Sequence, residues 1–414
     1  MGHLACRFTR VEPRRTARAM LLGLLAELPR KNCWTLAEHA GHATPDAMQH
    51  LLSRASWDAD AVRDDLRRYV TARLAGAGAV LVVDETGDLK KGTRTAGVQR
   101  QYTGTAGRIE NSQVAVFLAY AADAGHAFID RELYLPHVWA GDDQRRHDAR
   151  VPADRAFATK GELARRMIAR ALDAGTQAEW VAADEVYGQY PALRRELEER
   201  GVGYVLAVAA SHRVALPIGA RRADQVAAAL PQRAWQRLSA GAGAKGHRLY
   251  DWALVDTDRR TDRPGCRWLL IRRNRRTREL AFYRCYAPGP VPVAALVKVA
   301  GRRWTIEEAF QAGKGLCGLD QHQVRTWRSW YRWTTLAMLA HAFLAAVTTA
   351  ERARLGDQPD LAPITLAEVQ RLLTRMTSRT APDPAHCLHW SHWRRRHQAR
   401  ARTCHYQRQS TRKR

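Results

Sequence analysis

The chain has 414 residues, 46% of them hydrophobic, which suits a globular protein of one to three domains and excludes a disordered or fibrous chain. Lys and Arg number 67 against 41 Asp and Glu, and the net charge of +26 attracts polyanions, of which nucleic acid is the expected partner. An arginine- and alanine-rich composition also follows from a GC-rich genome, so charge alone does not decide the function.

The cysteines and the apolar runs indicate the compartment. The seven cysteines are scattered without a CxxC pair, which predicts neither a zinc knuckle nor a disulfide framework and favours a reducing, cytoplasmic environment. The N-terminal sequence has no apolar signal region, and no run approaches 18 apolar residues. No membrane segment is therefore predicted.

Residues 1–76 are predicted to form a helical DNA-binding domain. Apolar residues recur at helical spacing between positions 20 and 28. Further on, Thr35 is a candidate cap of a short helix that Gly41 ends, and Thr44 a candidate cap of the next one. Two short helices joined by a glycine-containing turn are typical of a helix-turn-helix and equally of an ordinary helical bundle, so both interpretations stay open.

A mixed α/β order begins at residue 77. Apolar, valine-rich runs predict strands, and helical periodicity predicts the helices between them. The predicted strands are 79–84, 112–122, 127–135, 180–184 and 203–209, and the predicted helices are 160–173 and 191–200. We interpret 77–210 as the first part of an α/β catalytic core, 211–300 as β-rich, 301–350 as the remainder of the core, and 351–414 as a helical segment with a basic tail.

The tail itself is strongly basic. Residues 391–414 contain nine Arg and Lys and no acidic residue, which is typical of a flexible, solvated arm that contacts DNA.

Three carboxylates are candidate metal ligands. Asp84 and Asp184 each follow an apolar strand, where α/β sheets usually bind ligands, although a lone Asp is more often a cap or an ion-pair partner. Glu307 shares one predicted helical stripe with Arg303 and Lys314, a pattern that a solvated face also produces. If the three converge, their oxygens suit two Mg²⁺ ions about 4 Å apart, with Mn²⁺ able to substitute, for in-line phosphoryl transfer.

A family resemblance rests on long motifs. LVVDETGDLKKGTRTAGVQRQYTGTAGRIENSQVAVFLAYA, IDRELYLP, FATKGELARRMIARALDAG, WVAADEVYG and GYVLAVA resemble transposases of the insertion-sequence 701 family, relatives of the hairpin-forming DDE-type group. The similarity runs from about residue 14 to about residue 345. It implies a ribonuclease H-like mixed sheet with flanking helices, interrupted by a β-rich insertion, and the catalytic triad Asp84, Asp184 and Glu307.

The wider group carries a Tyr, Arg, Glu, Lys signature. Arg303, Glu307 and Lys314 match it, whereas the Tyr position is Ala300, which weakens any terminal-phosphate contact assigned to that Tyr. The spacing favours Glu307 over Glu308. Residues 322–333 are rich in aromatic and basic side chains that either meet transposon-end DNA or belong to the core. The candidate DNA contacts are Lys90, Lys91, Arg94, Tyr187, Lys245, Arg303, Lys314 and Arg325.

The resemblance implies a DNA transposase that cuts at transposon ends with metal ions and transfers the strand into target DNA. Its expected partners are double-stranded DNA, as terminal inverted repeats and target, and a second copy of the chain in the DNA complex. The expected location is the bacterial cytoplasm, on the nucleoid when bound. Three alternatives remain: a catalytically silent DNA-binding regulator, a nuclease of the same fold that cuts without joining, and an N-terminally truncated copy.

Overall fold

The computed structural model describes residues 2–217, 219–243, 246–257, 264–356, 360–377 and 383–412. Short 3-10 helices span Gly2–Arg7 and Gln232–Ala234. The α-helices are α1 (Val11–Leu25), α2 (Cys33–His39), α3 (Asp46–Ser53), α4 (Ala59–Arg73), α5 (His137–Ala140), α6 (Asp143–Asp148), α7 (Lys160–Asp173), α8 (Glu185–Gly188), α9 (Pro191–Glu199), α10 (Ala223–Ala228), α11 (Val293–Arg302), α12 (Trp304–Cys317), α13 (Trp327–Leu355), α14 (Leu366–Thr377) and α15 (Pro384–Arg412). The strands are β1 (Val80–Leu89), β2 (Gln99–Thr103), β3 (Arg108–Ala121), β4 (His126–Leu133), β5 (Trp180–Ala183), β6 (Gly203–Val208), β7 (Arg213–Leu216), β8 (Gly219–Arg222), β9 (Gln236–Gly243), β10 (Gly246–Asp256), β11 (Cys266–Arg273) and β12 (Leu280–Ala287).

A mixed sheet of ten strands forms the centre of the molecule. Its order is β2-β3-β1-β5-β6-β12-β11-β10-β9, with β4 paired to β3. Strands β1, β5 and β6 are mutually parallel, and β3 runs antiparallel to β1. The valine-rich start of β1, residues 80–83, is almost fully buried, as expected of a strand covered on both faces. The predicted mixed α/β sheet with flanking helices is confirmed.

Strand β1 is longer than the sequence predicts. Asp84 does not end it, because residues 85–89 continue the strand and pair with β3, from Glu85 opposite Val116 to Leu89 opposite Ser112. These residues are mostly polar and half-buried, so they lack the apolar run that marks the first half. The prediction that Asp84 lies at a strand end is therefore wrong.

The β-rich segment 211–300 continues the central sheet. Its strands include β10, β11 and β12, and β12 pairs antiparallel with β6, with Phe282 opposite Val208. The predicted domain boundaries remain predictions, since no separate unit is defined by this pairing. Arg248 donates hydrogen bonds to the carbonyl oxygens of Ala240 (3.1 Å) and Gly301 (3.3 Å), which fixes the segment to the helices that follow.

Two helices of the C-terminal half cover the sheet. Helix α12 packs on β1, β3 and β4, and it ends at Gly318, whose left-handed φ of 65° favours glycine. Helix α13 packs on β4 and on α1, α3 and α4. By length and composition α13 is apolar enough to cross a membrane, but 72% of its most apolar window is buried inside the protein, as expected of a core helix.

The N-terminal helices α1–α4 share a hydrophobic core with α13, α14 and α15. Two short helices, α2 and α3, occur where a helix-turn-helix or a bundle was predicted. The cap of α2 is Asn32, whose side chain accepts from the backbone N–H of Trp34 (2.9 Å) and of Thr35 (3.2 Å), so Thr35 as the cap is wrong. Thr35 instead completes the capping box by accepting from the Asn32 N–H at 3.1 Å.

The basic tail differs from the flexible arm predicted. It belongs to α15, whose first half is docked on the N-terminal helices. Trp390 is fully buried and donates its indole N–H to the His42 carbonyl (2.9 Å), and Arg394 pairs with Glu38 at 2.5 Å. Burial of aromatic residues along one face fixes the helix in place, and this effect is larger here than that of the net positive charge of the segment.

Candidate active site

Asp84 and Asp184 are brought side by side by the parallel pairing of β1 and β5. Val83 lies opposite Ala183, and each is followed by its Asp. Asp184 is also the N-cap of α8, where its carboxylate accepts from the backbone N–H of Val186 at 2.9 Å. The two candidate carboxylates are thus placed by one register.

Burial and mutual repulsion perturb this pair. Burial, followed by the neighbouring Asp184 charge, raises the pKa of Asp84 to about 7. The pKa of Asp184 is raised as well, first by burial and then by Glu85. Two half-desolvated carboxylates with too little positive charge beside them are a common arrangement where a cation binds.

Glu307 is linked to this pair by Arg303. The Arg303 guanidinium donates to Glu307 Oε1 at 2.9 Å and lies 3.5 Å from Asp84 Oδ2. Glu308 points elsewhere, since its carboxylate lies 3.9 Å from the His126 ring nitrogen and its side chain is 54% exposed. Arg303 therefore links Glu307, and not Glu308, to Asp84.

Glu85 is a fourth carboxylate at the site, and sequence reasoning did not select it. Lys160 forms an ion pair with it, and Tyr187 donates its hydroxyl to Glu85 Oε2 at 2.5 Å. Tyr187, predicted as a DNA contact, is fully buried, so in this position it supports Glu85 from below the surface. The Asp-Glu dipeptide after an apolar run is the one local signal that could have indicated Glu85.

Polar residues on one face of β1 contact α12 and the segment that follows it. Lys314 donates to Thr86 Oγ1 at 2.7 Å, two residues after Asp84. Two residues further, Asp88 lies 3.1 Å from Nε2 of His322, whose side chain is fully buried. Because side chains alternate along a strand, this places the signature residues Arg303 and Lys314 beside one row of β1.

The other predicted basic contacts are Lys90, Lys91, Arg94, Arg325 and Lys245. Lys90, Lys91 and Arg94 line an open cavity of about 650 Å³ together with Arg325, in the loop that follows β1. Lys245 lies outside the described residues. In the aromatic and basic segment 322–333, Arg325 is exposed, whereas the side chains with the alternative core assignment are buried: His322, Trp327, Trp330, Tyr331 and Arg332.

Ala300, at the Tyr position of the signature, borders the site. It lines a cavity of about 690 Å³ together with Asp184, Arg303 and Trp304, the last of which is 48% exposed. The signature departs from its usual pattern at a wall of this cavity and leaves the carboxylates unchanged.

Comparison with known proteins identifies the family. Residues 3–268 match the family model described as DDE superfamily endonuclease, which is more than half of the chain and includes Asp84 and Asp184. The chain belongs to the DDE superfamily of endonucleases. The matched region ends before Glu307, so Glu307 as the third residue of the DDE set stays a prediction.

Two known proteins are partly similar to this DDE endonuclease. The chain is 30% identical over 195 residues to a probable transposase for insertion sequence element IS701 from Microchaete diplosiphon, which covers 47% of this chain and 48% of the relative. The chain thus matches about half the length of this curated relative. A piggyBac transposase synaptic complex with hairpin DNA aligns with a TM-score of 0.44 and 10% identity over 89% of this chain and 73% of that one.

The donor set of the DDE endonuclease can be tested against the hard divalent cation that the family implies. Asp84 and Asp184 supply carboxylate oxygens, the ligands that Mg²⁺ prefers, and their raised pKa values indicate unneutralised negative charge. Within the described ranges, no three His, Cys, Asp or Glu side chains are close enough as placed to hold an ion together. The aspartate pair therefore fits, while Glu307 is held by Arg303.

Proposed function

We propose that this DDE endonuclease is an insertion-sequence transposase that cuts DNA at the ends of its element and joins them to target DNA. The observation that supports the proposal is the pairing of Asp84 with Asp184, with Arg303 bridging Asp84 to Glu307, in a chain with a net charge of +26. Carboxylates at the reacting centre and cations around it match the two needs of phosphoryl transfer on DNA.

The residues of the chain have separable roles in this proposal. Two Mg²⁺ ions, with Mn²⁺ as a substitute, would supply Lewis acidity to water and to a 3′-hydroxyl when held by Asp84, Asp184 and Glu307. Arg303 keeps Glu307 beside the aspartates through its 2.9 Å hydrogen bond, and it limits their repulsion. Lys314, held by Thr86, places a positive charge along the same face for a DNA phosphate.

Partners and location follow from the reaction. Two transposon ends have to be handled together before joining, so we propose a homodimer in the complex with double-stranded DNA. After the first cut, the freed 3′-hydroxyl attacks either the opposite strand, which closes a hairpin, or the target DNA. Recovery of flush or nicked ends without a hairpin species would exclude the hairpin route. We expect the protein in the bacterial cytoplasm, on the nucleoid when bound.

The test is cleavage and joining of a labelled duplex that carries the element's own end, with Mg²⁺ or Mn²⁺. We expect nicked and joined products from the wild type, and their loss in Asp184→Ala and Glu307→Gln. Glu308→Gln is the matched control, because Glu308 is adjacent and exposed but faces His126, and it should keep activity.

Each other outcome assigns a different function. Cleavage without joining would identify a nuclease of the same fold. DNA binding without cleavage by the wild type would identify a regulator or a damaged copy. Activity that survives Glu307→Gln but not Glu308→Gln would show that the third carboxylate is misassigned.

A further inference from the structure

Three neighbouring cavities form one path across the surface, from the loop after β1 to the N-terminal helices. The first, of about 650 Å³, contains Lys91, Arg94 and Arg325. Arg325 also lines the second, of about 410 Å³, which extends to Arg54 and Arg150. These two arginines in turn line the third, of about 710 Å³. We call this path the basic groove, and its exposed cations are Lys91, Arg94, Arg325, Arg54, Arg150 and Arg328.

The cations of the basic groove are not neutralised from within the protein. In the part of the chain that the structure describes, none of the six forms an ion pair with a carboxylate, and the first two cavities have no Asp or Glu in their walls. The third cavity contains two carboxylates, and both already accept hydrogen bonds within the protein: Asp60 accepts from Arg131 at 2.8 Å, and Asp58 caps α4 by accepting from the Asp60 backbone N–H at 2.7 Å. Like charges held together without counter-charges favour an anionic ligand.

A buried donor without a partner points in the same direction. Arg155 lines the third cavity, and its Nε–H is buried with no hydrogen-bond partner in the described structure. A buried N–H that finds no acceptor costs about 1–3 kcal/mol, so an acceptor from a ligand would be favourable there. Arg150, between the second and third cavities, has a positive φ of 55°, which is uncommon for a residue other than glycine.

The shape and chemistry of the groove favour duplex over single-stranded nucleic acid. Single strands are bound largely by stacking of bases on exposed aromatic rings. The two aromatic residues of the second cavity are already engaged, because Trp333 is 1% exposed and Trp34 packs edge-on against Trp393 at 4.7 Å. Guanidinium groups spaced along an open path instead match the repeated phosphates of a double helix.

Strand β1 sets the distance between the groove and the carboxylates. Lys91 is seven residues from Asp84, and at about 3.3 Å per residue this is at most roughly 23 Å, or about seven base pairs of B-DNA at 3.4 Å each. We propose that the basic groove binds the phosphate backbone of duplex DNA at a position several base pairs away from the cleavage point. This inference rests on the proposed function for its cleavage point, whereas the binding itself does not.

The test measures binding without divalent metal, so it does not depend on cleavage. Fluorescence anisotropy in EDTA would follow the affinity for a labelled 30-base-pair duplex (a length of about 100 Å at 3.4 Å per pair) over a range of salt concentrations. The test protein is the triple variant Arg54→Gln, Arg150→Gln, Arg325→Gln. The control carries the same charge change at exposed arginines outside the groove: Arg73→Gln, Arg195→Gln, Arg375→Gln.

We expect the groove variant to reduce the magnitude of the slope of log affinity against log salt by about 2–3. Each phosphate contact releases about 0.9 counterions when it forms, and the variant lacks three such contacts. The control should change the slope by less than about 1, and both should melt within about 1 °C of the wild type, since exposed substitutions rarely alter stability. Equal slope changes in the two variants, an unchanged slope in the groove variant, or tighter wild-type binding to RNA or single-stranded DNA would overturn the proposal.

Footprinting separates this proposal from the proposed function. On a duplex with the element's end, the groove variant should lose protection several base pairs from the end and keep it at the end itself. A wild type that binds through the groove but never cleaves would refute the transposase proposal and leave the groove intact. A wild type that cleaves, with unchanged protection in the groove variant, would refute the groove alone.

Discussion

Arg325 and Arg332 are seven residues apart in a segment that the sequence assigns either to DNA contact or to the core, and the structure separates them. Arg332 is 4% exposed and donates to the carbonyl oxygens of Ala55 (2.6 Å) and Trp57 (2.7 Å), which ties α13 to the loop after α3. Burial lowers its pKa to about 10, so it stays charged near neutral pH. The same substitution, Arg→Met, should therefore lower the stability of the protein at position 332 and weaken DNA binding at position 325.

The magnitude for Arg332→Met follows from those bonds. Arg332 also donates to the carbonyl oxygens of Leu51 (3.2 Å) and Leu52 (3.5 Å), but the two short bonds dominate. Each short bond from this charged donor contributes about 1.5–3 kcal/mol, and relief of the buried charge returns part of this, so the free energy of unfolding should fall by about 2–4 kcal/mol. With an unfolding entropy of about 2.1 cal/mol/K per residue, a cooperative chain of 414 residues loses roughly 1 °C of Tm per kcal/mol. We expect a Tm decrease of about 2–5 °C.

Arg325→Met should leave Tm unchanged and lower the salt dependence of DNA binding by about one counterion, because Arg325 is exposed and pairs with no carboxylate among the described residues. Thermal melts and salt titrations on both variants measure the two effects. The reasoning is refuted if Arg332→Met melts like the wild type and loses salt dependence, since Arg332 would then be a DNA contact.

Three further predictions concern the supports of the site. Gly301→Ala would place its Cβ 1.9 Å from a backbone oxygen of β9, so we expect the free energy of unfolding to fall by at least about 3 kcal/mol, or no folded protein. Gly315→Ala is the control: it has open space around it and should be neutral or stabilising in thermal melts. Burial lowers the pKa of Lys31 from 10.5 to about 8. Between these pH values the unfolded chain therefore binds more protons than the folded chain, so the free energy of unfolding should rise by up to about 3 kcal/mol as the pH increases through them. Denaturant titrations at several pH values measure this rise, and Lys31→Met should remove it. Tyr187→Phe removes a hydrogen bond to Glu85 and should slow single-turnover cleavage severalfold with Tm lowered by no more than about 3 °C; an unchanged rate would show that this support is dispensable.

Much of the fold could be predicted from local pattern. The buried strands and the helix over 160–173 have strong periodicity, and α7 spans Lys160–Asp173 as expected. What could not be predicted depends on pairing between distant segments. Nothing in LAFYRCYA indicates that β12 joins β6 and extends the core sheet, because either edge of a strand offers the same backbone hydrogen bonds.

The candidate site divides in the same way. Asp84 and Asp184 follow apolar runs, and the family resemblance adds Glu307, so these three residues could be named in advance. Glu85 and its supports could not, because Lys160 is 75 residues away from it and Tyr187 is 102 residues away. A contact at such separation depends on the packing of α7 and α8 against the sheet and has no local signature.

The distribution of charge explains why the composition indicates a polyanionic partner and yet could not locate the proposed DNA surface. Between α4, β4 and α7 lies a buried ion cluster in which Asp130 is fully buried and contacts Arg63 at 3.3 Å and Arg170 at 2.8 Å. The cluster has four acids and four arginines and is therefore neutral: Asp60, Asp64, Asp130, Glu132, Arg63, Arg67, Arg131 and Arg170. Desolvation is costly, so a buried charge needs an opposite charge, as in this cluster, or several hydrogen bonds, as at Arg332; unpaired cations are otherwise favoured where water or a polyanion reaches them. The sign of the total thus predicts the class of partner, and only the fold decides which arginines, among them those of the basic groove, remain free to meet it.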